Sequence, residues 1–299
     1  MMTMEAQGKG IAGLLHRATL LPTRYGLGPE RIQARLQRMQ ATLERSEVTP
    51  TIPVSAVALE RHPGISQVLR TVDVAVHGYR HVDYTTLTPA EQADDLDTAL
   101  RVFRGQGFHP KGFRGPYLRA SRDTMSLLVS RGVIFDSSRP RLLLPRNDPA
   151  GRLAATYVLQ RYGPIPEGPA LPAGSVPLGI PVALPDDEIL VDAMGLRTPA
   201  TLWRIYESML AAVRREGSLI VLMVHPERFG IMSDAVELFL ERATDDGAWK
   251  PSLAELARWA IREGPGATKW PHGCAYSVAV TGDLDAVSLT DFAWRSIGR

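Results

Sequence analysis

The stretch SLIVLMVH, residues 218–225, decides how this chain folds. Its apolar side chains follow one another without the polar alternation of a strand that keeps one face in water. Both faces of this strand must therefore be buried, which is typical of parallel sheets covered by helices. The stretch ends in His225, so a polar side chain is expected at the carboxyl end of the strand.

Segments on both sides of this strand alternate between strand and helix patterns. Apolar or β-branched runs predict strands, and apolar residues at helical spacing behind capping residues predict helices. This alternation argues for a parallel sheet, and seven or eight strands in one domain favour an α/β fold of the (β/α) barrel type over an open sheet. The predicted strands are 51–59, 72–77, 133–136, 155–160, 177–184, 218–225 and 274–285, and the predicted helices are 29–46, 89–105, 121–132, 198–215, 234–244 and 252–262.

Composition and charge exclude several classes of protein. Hydrophobic residues make up 44% of the 299 residues and charged residues 22%, which excludes a disordered or fibrous chain. A net charge of +2 gives no reason to expect a nucleic-acid partner. The one cysteine, Cys274, allows no intrachain disulfide, and the longest apolar run, at 219–224, is too short for a transmembrane segment. Residues 1–10 lack a signal-peptide pattern, so a cytoplasmic location is expected.

Three of the seven histidines lie where strands are predicted to end. His77 and His81 are at or just after the end of the strand at 72–77, and His225 closes the strand at 218–225. Functional groups of barrels and open α/β sheets gather at the carboxyl ends of the strands. Two histidines four residues apart can share a metal ion on a helical turn, and the alternative is a solvated pair in a loop.

Four short sequence boxes follow one another along the chain. They are HGYRH (77–81), GFRGPY (112–117), GVIFDSS (132–138) and VLMVHPERFG (221–230). This ordered set resembles the polysaccharide deacetylases, the NodB-homology or carbohydrate esterase family 4 group, over roughly residues 29–260. One departure is Gly78, which stands where the first box of the family has Ser or Thr.

The resemblance implies a role for each matching residue. In the family, the first box supplies two metal-binding histidines, and the second supplies an arginine that orients the catalytic base and a backbone N–H that faces the oxyanion. The late His-Pro box supplies a general acid. The matching metal ligands are His77 and His81, and the matching catalytic residues are Arg114, Tyr117 and His225. Asp186 or Asp187 is a candidate for an acidic group that orients His225.

The aspartate motif of the family is absent from its usual place before the first helix. Residues 18–26, ATLLPTRYG, contain no acid. In contrast, WPHGCAYSVAVTGDLDAVSL at 270–289 looks like the start of many family members, with Asp283 and Asp285 in the motif positions. This match predicts a circular permutation, with a strand swapped from a second protomer as a variant of it. The alternative is that GDLD forms a surface turn or a helix cap.

Permutation defines the expected domain organisation. The C-terminal strand at 275–281 would insert beside the strand at 51–58 and supply the first strand of the barrel. This is plausible because the termini of a domain usually lie close together. The prediction is one polysaccharide-deacetylase-like domain over 1–299, with an N-terminal extension at 1–28 and the permuted aspartate strand at 270–299.

The motif order in the family makes Asp283 the catalytic base and Asp285 the third metal ligand. Leu284 separates the two carboxylates, so the reverse assignment stays open. A set of one Asp and two His leaves positions open on a metal for water and substrate, as in catalytic zinc sites. Zinc is the expected ion, and cobalt or nickel could occupy the same ligands.

These residues predict a metal-dependent hydrolase that removes an N-acetyl group from an N-acetylated sugar or a sugar-containing precursor. One alternative is an amidase that acts on a non-sugar, small-molecule amide. Another is a non-catalytic carbohydrate-binding homologue, which requires that GDLD never reaches the histidines. The turn at 22–26 is expected to pack against the fold, with contact to substrate as the alternative. Glu227 and Arg228 are left open between contacting sugar hydroxyls and pairing with each other.

Overall fold

The computed structural model describes residues 21, 24–144, 149–165, 176–264 and 270–292. Parts of the expected extension at 1–28, of the Pro- and Gly-rich segment at 139–176 and of the expected strand region at 270–299 lie outside the described residues. Within the described residues the strands are β1 (Thr51–Val54), β2 (Asp73–Val76), β3 (Gly112–Phe113), β4 (Phe135–Asp136), β5 (Pro140–Leu142), β6 (Leu178–Gly179), β7 (Val182–Leu184), β8 (Leu219–Met223) and β9 (Ser277–Thr281).

Helices cover the strands on the outside of the sheet. None of the described helices is both long and apolar enough to cross a lipid bilayer. The helices with described bounds are α1 (Glu30–Arg45), α2 (Ala56–Arg61), α3 (Ile65–Leu69), α4 (Pro89–Gly105), α5 (Arg122–Ser130), α6 (Pro149–Tyr162), α7 (Pro199–Glu216), α8 (Phe229–Asp245) and α9 (Leu253–Glu263). Short 3₁₀ turns lie at Tyr84–Thr86, Pro116–Leu118 and Pro271–Gly273, and a π-helix lies at Glu188–Ala193.

Seven strands form one curled parallel sheet in the order β6-β4-β3-β2-β1-β9-β8. Strands β5 and β7 form a second parallel pair, and β7 lies against β8. The small sheet thus continues the curve of the large one. The predicted α/β barrel with a strand supplied by the C-terminal segment is confirmed.

The C-terminal strand β9 lies inside the sheet, between β1 and β8. It pairs with β8 along its whole length, from Leu219 opposite Ser277 to Met223 opposite Thr281. On its other side Thr281 pairs with Thr51 of β1. All five residues of β9 are buried, as expected for an inner strand of a parallel sheet.

One predicted strand is wrong, one ends early, and the run predicted at 177–184 is divided between β6 and β7. The run at 51–59 is a strand only to Val54, because the N–H groups of Ala56 and Val57 donate to carbonyls of the loop after β2 and bend the chain into α2. The strand expected at 155–160 lies within α6. Its buried residues include Ala154 and Val158, which are four residues apart and therefore share one helical face.

The predicted start and end of α4 are confirmed. The Thr88 hydroxyl accepts a hydrogen bond from the Glu91 N–H, and the Glu91 carboxylate accepts one from the Thr88 N–H. This capping box satisfies backbone groups that the first turn of a helix leaves unpaired. The helix runs to Gly105 as expected. It lies beside the loop that contains His77 and His81.

Candidate active site

Five of the predicted site residues lie at the carboxyl ends of neighbouring strands. His77 follows β2, Arg114 follows β3 and His225 follows β8. Asp283 and Asp285 follow β9. Because parallel strands present their carboxyl ends at one edge, residues far apart in sequence meet there. All of them except the fully buried Arg114 line, with Tyr117 and His81, a pocket that encloses about 770 Å³ including its mouth.

Three side chains form a compact group of possible metal ligands. His77 Nε2 lies 3.2 Å from Asp285 Oδ1, and His81 Nε2 lies 3.2 Å from Asp285 Oδ2. Ligand atoms of all three lie within 4.8 Å of one another. Ligands about 2.0–2.2 Å from a tetrahedral zinc ion are roughly 3.3 Å apart. The donor types and their spacing therefore fit a divalent cation such as zinc.

The orientation of the His77 ring is set by its surroundings. Its Nδ1 lies 2.6 Å from the backbone carbonyl oxygen of Arg114, so Nδ1 carries the proton and Nε2 faces the pocket. Burial alone would lower the pKa of His77, but the carboxylates of Asp283 and Asp285 outweigh it and raise this pKa. A ring held in one tautomer is suited to bind a cation through Nε2.

The Asp283 carboxylate is held by an arginine rather than by the two histidines. Arg114 Nη1 donates to Asp283 Oδ1 at 2.6 Å, and both side chains are buried. The guanidinium also donates to Ser137 and Thr281, so its place is fixed by several bonds. Asp283 Oδ2 lies 3.7 Å from His77 Nε2, farther than Asp285 does. The guanidinium thus neutralises this carboxylate beside the candidate metal site.

Leu284, the spacer of the GDLD motif, explains how both carboxylates reach the pocket. Its N–H donates to the Pro53 carbonyl oxygen and its own carbonyl accepts from Ser55, so it continues the ladder with β1. Side chains of extended residues alternate between faces. Buried Leu284 therefore points away from the pocket, and Asp283 and Asp285 both face it.

His225 is oriented by Asp187. The carboxylate of Asp187 accepts hydrogen bonds from His225 Nδ1 and from the His225 backbone N–H, both at 2.7 Å. Burial lowers the pKa of His225, but the adjacent Asp187 raises it well above the usual 6.5. Asp186 instead accepts from the Tyr162 hydroxyl and the Ile189 N–H, and burial raises its pKa to about 6. Of the two candidates, the structure therefore places Asp187 beside His225.

The loop around Tyr117 has a backbone that few residues adopt. Tyr117 and Leu118 have φ angles of 60° and 55°, in the left-handed region. Gly115 allows the turn, because a Cβ there would lie 2.0 Å from the Arg119 carbonyl oxygen. The Tyr117 ring meets the His81 ring edge-on, with centroids 4.6 Å apart. Such outliers concentrate at functional sites, where the surrounding structure enforces them.

The pocket also contains charged residues that the sequence did not single out. Arg161 pairs with Glu188 at 2.7 Å on one wall. Behind another wall, Asp192 accepts hydrogen bonds from Arg24 and from Arg228, which the sequence already singled out. Arg24 lies in the turn expected to pack rather than to contact substrate, and it lines the pocket. The acids come from the π-helix or its border, a rare element often found at functional sites, which sequence patterns do not reveal.

Glu227 and Arg228 form a pair, as in one of the two arrangements left open, but the pair is not on the surface. Arg228 Nη1 donates to Glu227 Oε1 at 2.6 Å, so the two side chains pair with each other. The pair is buried against the pocket, where Arg228 is only 7% exposed. The sequence feature that points to this pair is its position directly after the His-Pro box.

Comparison with known proteins gives matches of two kinds. Residues 27–134 match the polysaccharide deacetylase family model. A peptidoglycan deacetylase-like protein, FGM2 of Gibberella zeae, is 42% identical over 67 residues. That match covers 22% of this chain and spans only 20% of the length of the relative.

Solved structures share the fold. A protein from Mycobacterium smegmatis assigned as a polysaccharide deacetylase matches with a TM-score of 0.62 and 20% identity, over 90% of this chain and 92% of that chain. One with the same assignment from Pseudomonas aeruginosa PAO1 matches with a TM-score of 0.58 and 21% identity, over 77% and 73%. Puue allantoinase follows at 0.55 and 19%, over 75% and 71%. Residues 27–134 are therefore similar to the polysaccharide deacetylase family, and the chain has the fold of these solved structures.

Proposed function

We propose that this protein is a metal-dependent deacetylase that removes an N-acetyl group from an N-acetylated sugar or a sugar-containing precursor. One observation carries the proposal. The ligand atoms of His77, His81 and Asp285 lie within 4.8 Å of one another, beside the buried pair of Asp283 and Arg114. Metal ligands and a candidate base are thus adjacent in one pocket.

His77 Nε2, His81 Nε2 and one carboxylate oxygen of Asp285 would hold the cation. When bound, a divalent cation of this kind lowers the pKa of water and polarises a carbonyl group. Asp285, which lies between the two histidines, is the better ligand of the two carboxylates. Asp283 is the better base, because Arg114 holds its carboxylate in place beside that site.

Hydrolysis of the amide follows from the remaining groups. Water supplies the oxygen of the new C–O bond and gives one proton to Asp283. The Tyr117 N–H would donate to the oxyanion that develops on the carbonyl oxygen. The C–N bond then breaks while His225 donates a proton to the leaving nitrogen. The products are acetate and a free amine, and the raised pKa of His225 favours the protonated form that a general acid needs.

The two alternatives predict different results. A non-catalytic carbohydrate-binding protein requires that GDLD lies away from the histidines, and Asp285 is 3.2 Å from both. An amidase on a small non-sugar amide would use the same groups. Only the substrate that is hydrolysed distinguishes such an amidase from a sugar deacetylase. The assay therefore includes both N-acetylated sugars and small non-sugar amides.

The test combines metal content with acetate release. We expect the wild type to bind one zinc or cobalt ion and to lose it in His77→Ala and Asp285→Ala. His109→Ala, which removes an exposed histidine, is the matched control and should keep the metal. Acetate release from N-acetylglucosamine oligomers, compared with hydrolysis of small cyclic amides, then identifies the substrate class. A wild type that takes up no metal would contradict the proposal.

We also infer that the chain is circularly permuted. The support is that β9 occupies an inner place beside β1, where the family's first strand would be expected. A rearranged gene that places residues 270–299 ahead of residues 1–269 should yield a folded, metal-binding protein. Failure of that protein to fold would count against the inference. The extent of the domain over 1–299 and the cytoplasmic location stay predictions.

A further inference from the structure

Asp95, on α4, contacts the loop that joins His77 to His81. Its Oδ1 accepts a hydrogen bond from the Tyr79 N–H at 2.8 Å, and its Oδ2 accepts one from the Arg80 N–H at 3.2 Å. Successive backbone N–H groups that point at one carboxylate form an anion-binding concavity. The carboxylate therefore holds the middle of the loop through two consecutive amides.

Asp95 is itself fixed by a buried tyrosine. The Tyr84 hydroxyl donates to Asp95 Oδ1 at 2.6 Å, and the Tyr84 side chain is fully buried. The helix α4 is anchored at its start by the capping box at Thr88. The Asp95 carboxylate is thus held in place on α4, and the loop at 79–80 is bound to it.

Gly78 makes this contact possible. It has a φ of 75°, and a Cβ at this position would lie 2.8 Å from the Arg80 carbonyl oxygen and 3.1 Å from Asp95 Oδ1. A residue with a side chain would therefore strain the turn and crowd the carboxylate. Gly78, which stands in place of the Ser or Thr of the family, thus lies in the turn that Asp95 of α4 holds.

The two histidines differ in how they are held. His77 is fixed by its ring contact with the Arg114 carbonyl oxygen. Its backbone N–H also donates to the Val54 carbonyl oxygen. His81 directly follows Arg80, so the Asp95 bond to the Arg80 N–H bears on its position. Backbone N–H groups of α2 donate to carbonyl oxygens of this loop. The N–H groups of residues 79 and 80 donate instead to the Asp95 carboxylate.

We propose that Asp95 is a positioning residue for the candidate metal site. Its carboxylate holds the backbone of residues 79–80 and so sets the place of His81 relative to His77 and Asp285. The proposal rests on the metal-binding role proposed above. Asp95 is neither one of the residues that line the pocket nor one of the three candidate metal ligands.

The test compares two aspartates of the same helix. Asp95→Asn keeps the shape of the side chain but turns one acceptor oxygen into an N–H₂ group that cannot accept from a backbone amide. Asp97→Asn is the matched control, because Asp97 pairs with Arg131 on the surface. Zinc binding to the metal-free proteins is measured by titration calorimetry, and hydrogen exchange is followed over residues 78–81.

We expect Asp95→Asn to raise the zinc Kd by about 10–100-fold, as loss of a residue that orients a ligand does. Exchange of the Tyr79 and Arg80 amides should accelerate, and Asp97→Asn should leave both readouts unchanged. A folded Asp95→Asn protein with wild-type zinc affinity would overturn the proposal. If that variant does not fold, hydrogen exchange of the wild type provides the test. Amides of Tyr79 and Arg80 that exchange as fast as in an unstructured peptide would overturn the proposal.

Failure of this inference is distinguishable from failure of the proposed function. A wild type that binds no zinc overturns both. A wild type that binds zinc and releases acetate, together with an Asp95→Asn protein that does the same with equal affinity, overturns only the role of Asp95. Loss of affinity in Asp97→Asn as well would show a general effect of α4 and would also count against Asp95.

Discussion

Asp283 and Asp285 are two residues apart but should respond to substitution in opposite ways. Asp283 is paired with Arg114, a guanidinium with no exposed surface. Asp285 is 19% exposed and faces the two histidines. In the metal-free protein, Asp283→Ala should therefore lower stability strongly while metal binding is largely kept. Asp285→Ala should change stability little and abolish metal binding.

The size of the stability effect follows from burial. Removal of one partner of a buried ion pair leaves an uncompensated charge and costs about 3–5 kcal/mol. The unfolding entropy of a chain of 299 residues makes that a fall in Tm of about 5–8 °C. Asp285→Ala removes contacts worth about 1 kcal/mol, because Arg114 keeps its partner Asp283 and His77 Nε2 still lies 3.7 Å from Asp283 Oδ2.

Calorimetry of the metal-free proteins and zinc titration of each give the two readouts. Asp283→Asn is the control, since it keeps an oxygen that can accept from Arg114 and should melt closer to the wild type than Asp283→Ala. The reasoning is refuted if Asp283→Ala melts within about 2 °C of the wild type. Loss of zinc in Asp283→Ala with zinc retained in Asp285→Ala would reverse the proposed roles.

Three smaller changes have expected outcomes of their own. Asp187→Asn removes the charge that raises the pKa of His225, so the fall of activity at high pH should move to lower pH while zinc content stays constant; an unshifted profile contradicts the acid role. Gly282→Ala places a Cβ 2.2 Å from the Val224 carbonyl oxygen and should cost about 1–3 kcal/mol in urea unfolding, whereas wild-type stability would show that the backbone adjusts. Thr88→Ala should cost about 1 kcal/mol through the lost helix cap without changing acetate release, and an equal loss of activity would argue for a wider role of α4.

Local sequence patterns were sufficient for much of the fold. The apolar run at 218–225 indicated a strand buried on both faces, and the Thr88 capping box defined the start of α4. Both depend on residues close together in sequence. The mistakes arose where local pattern was ambiguous. A short apolar run such as 155–160 suits a strand or one face of a helix, and only packing of Ala154 and Val158 decides between them.

The sequence by itself determined which residue types are available for chemistry: the HGYRH box, the Arg-Gly-Pro-Tyr box, the His-Pro pair and the two aspartates of GDLD. Tertiary structure decided which of them meet. The place of β9 between β1 and β8 brings Asp283 and Asp285 to histidines about 200 residues away, and pairing across a parallel sheet is a non-local property that no sequence window contains. Only the fold could also choose Asp187 over Asp186 and bring Asp95 to the histidine loop, because each choice depends on where a neighbouring element presents its hydrogen-bond donors.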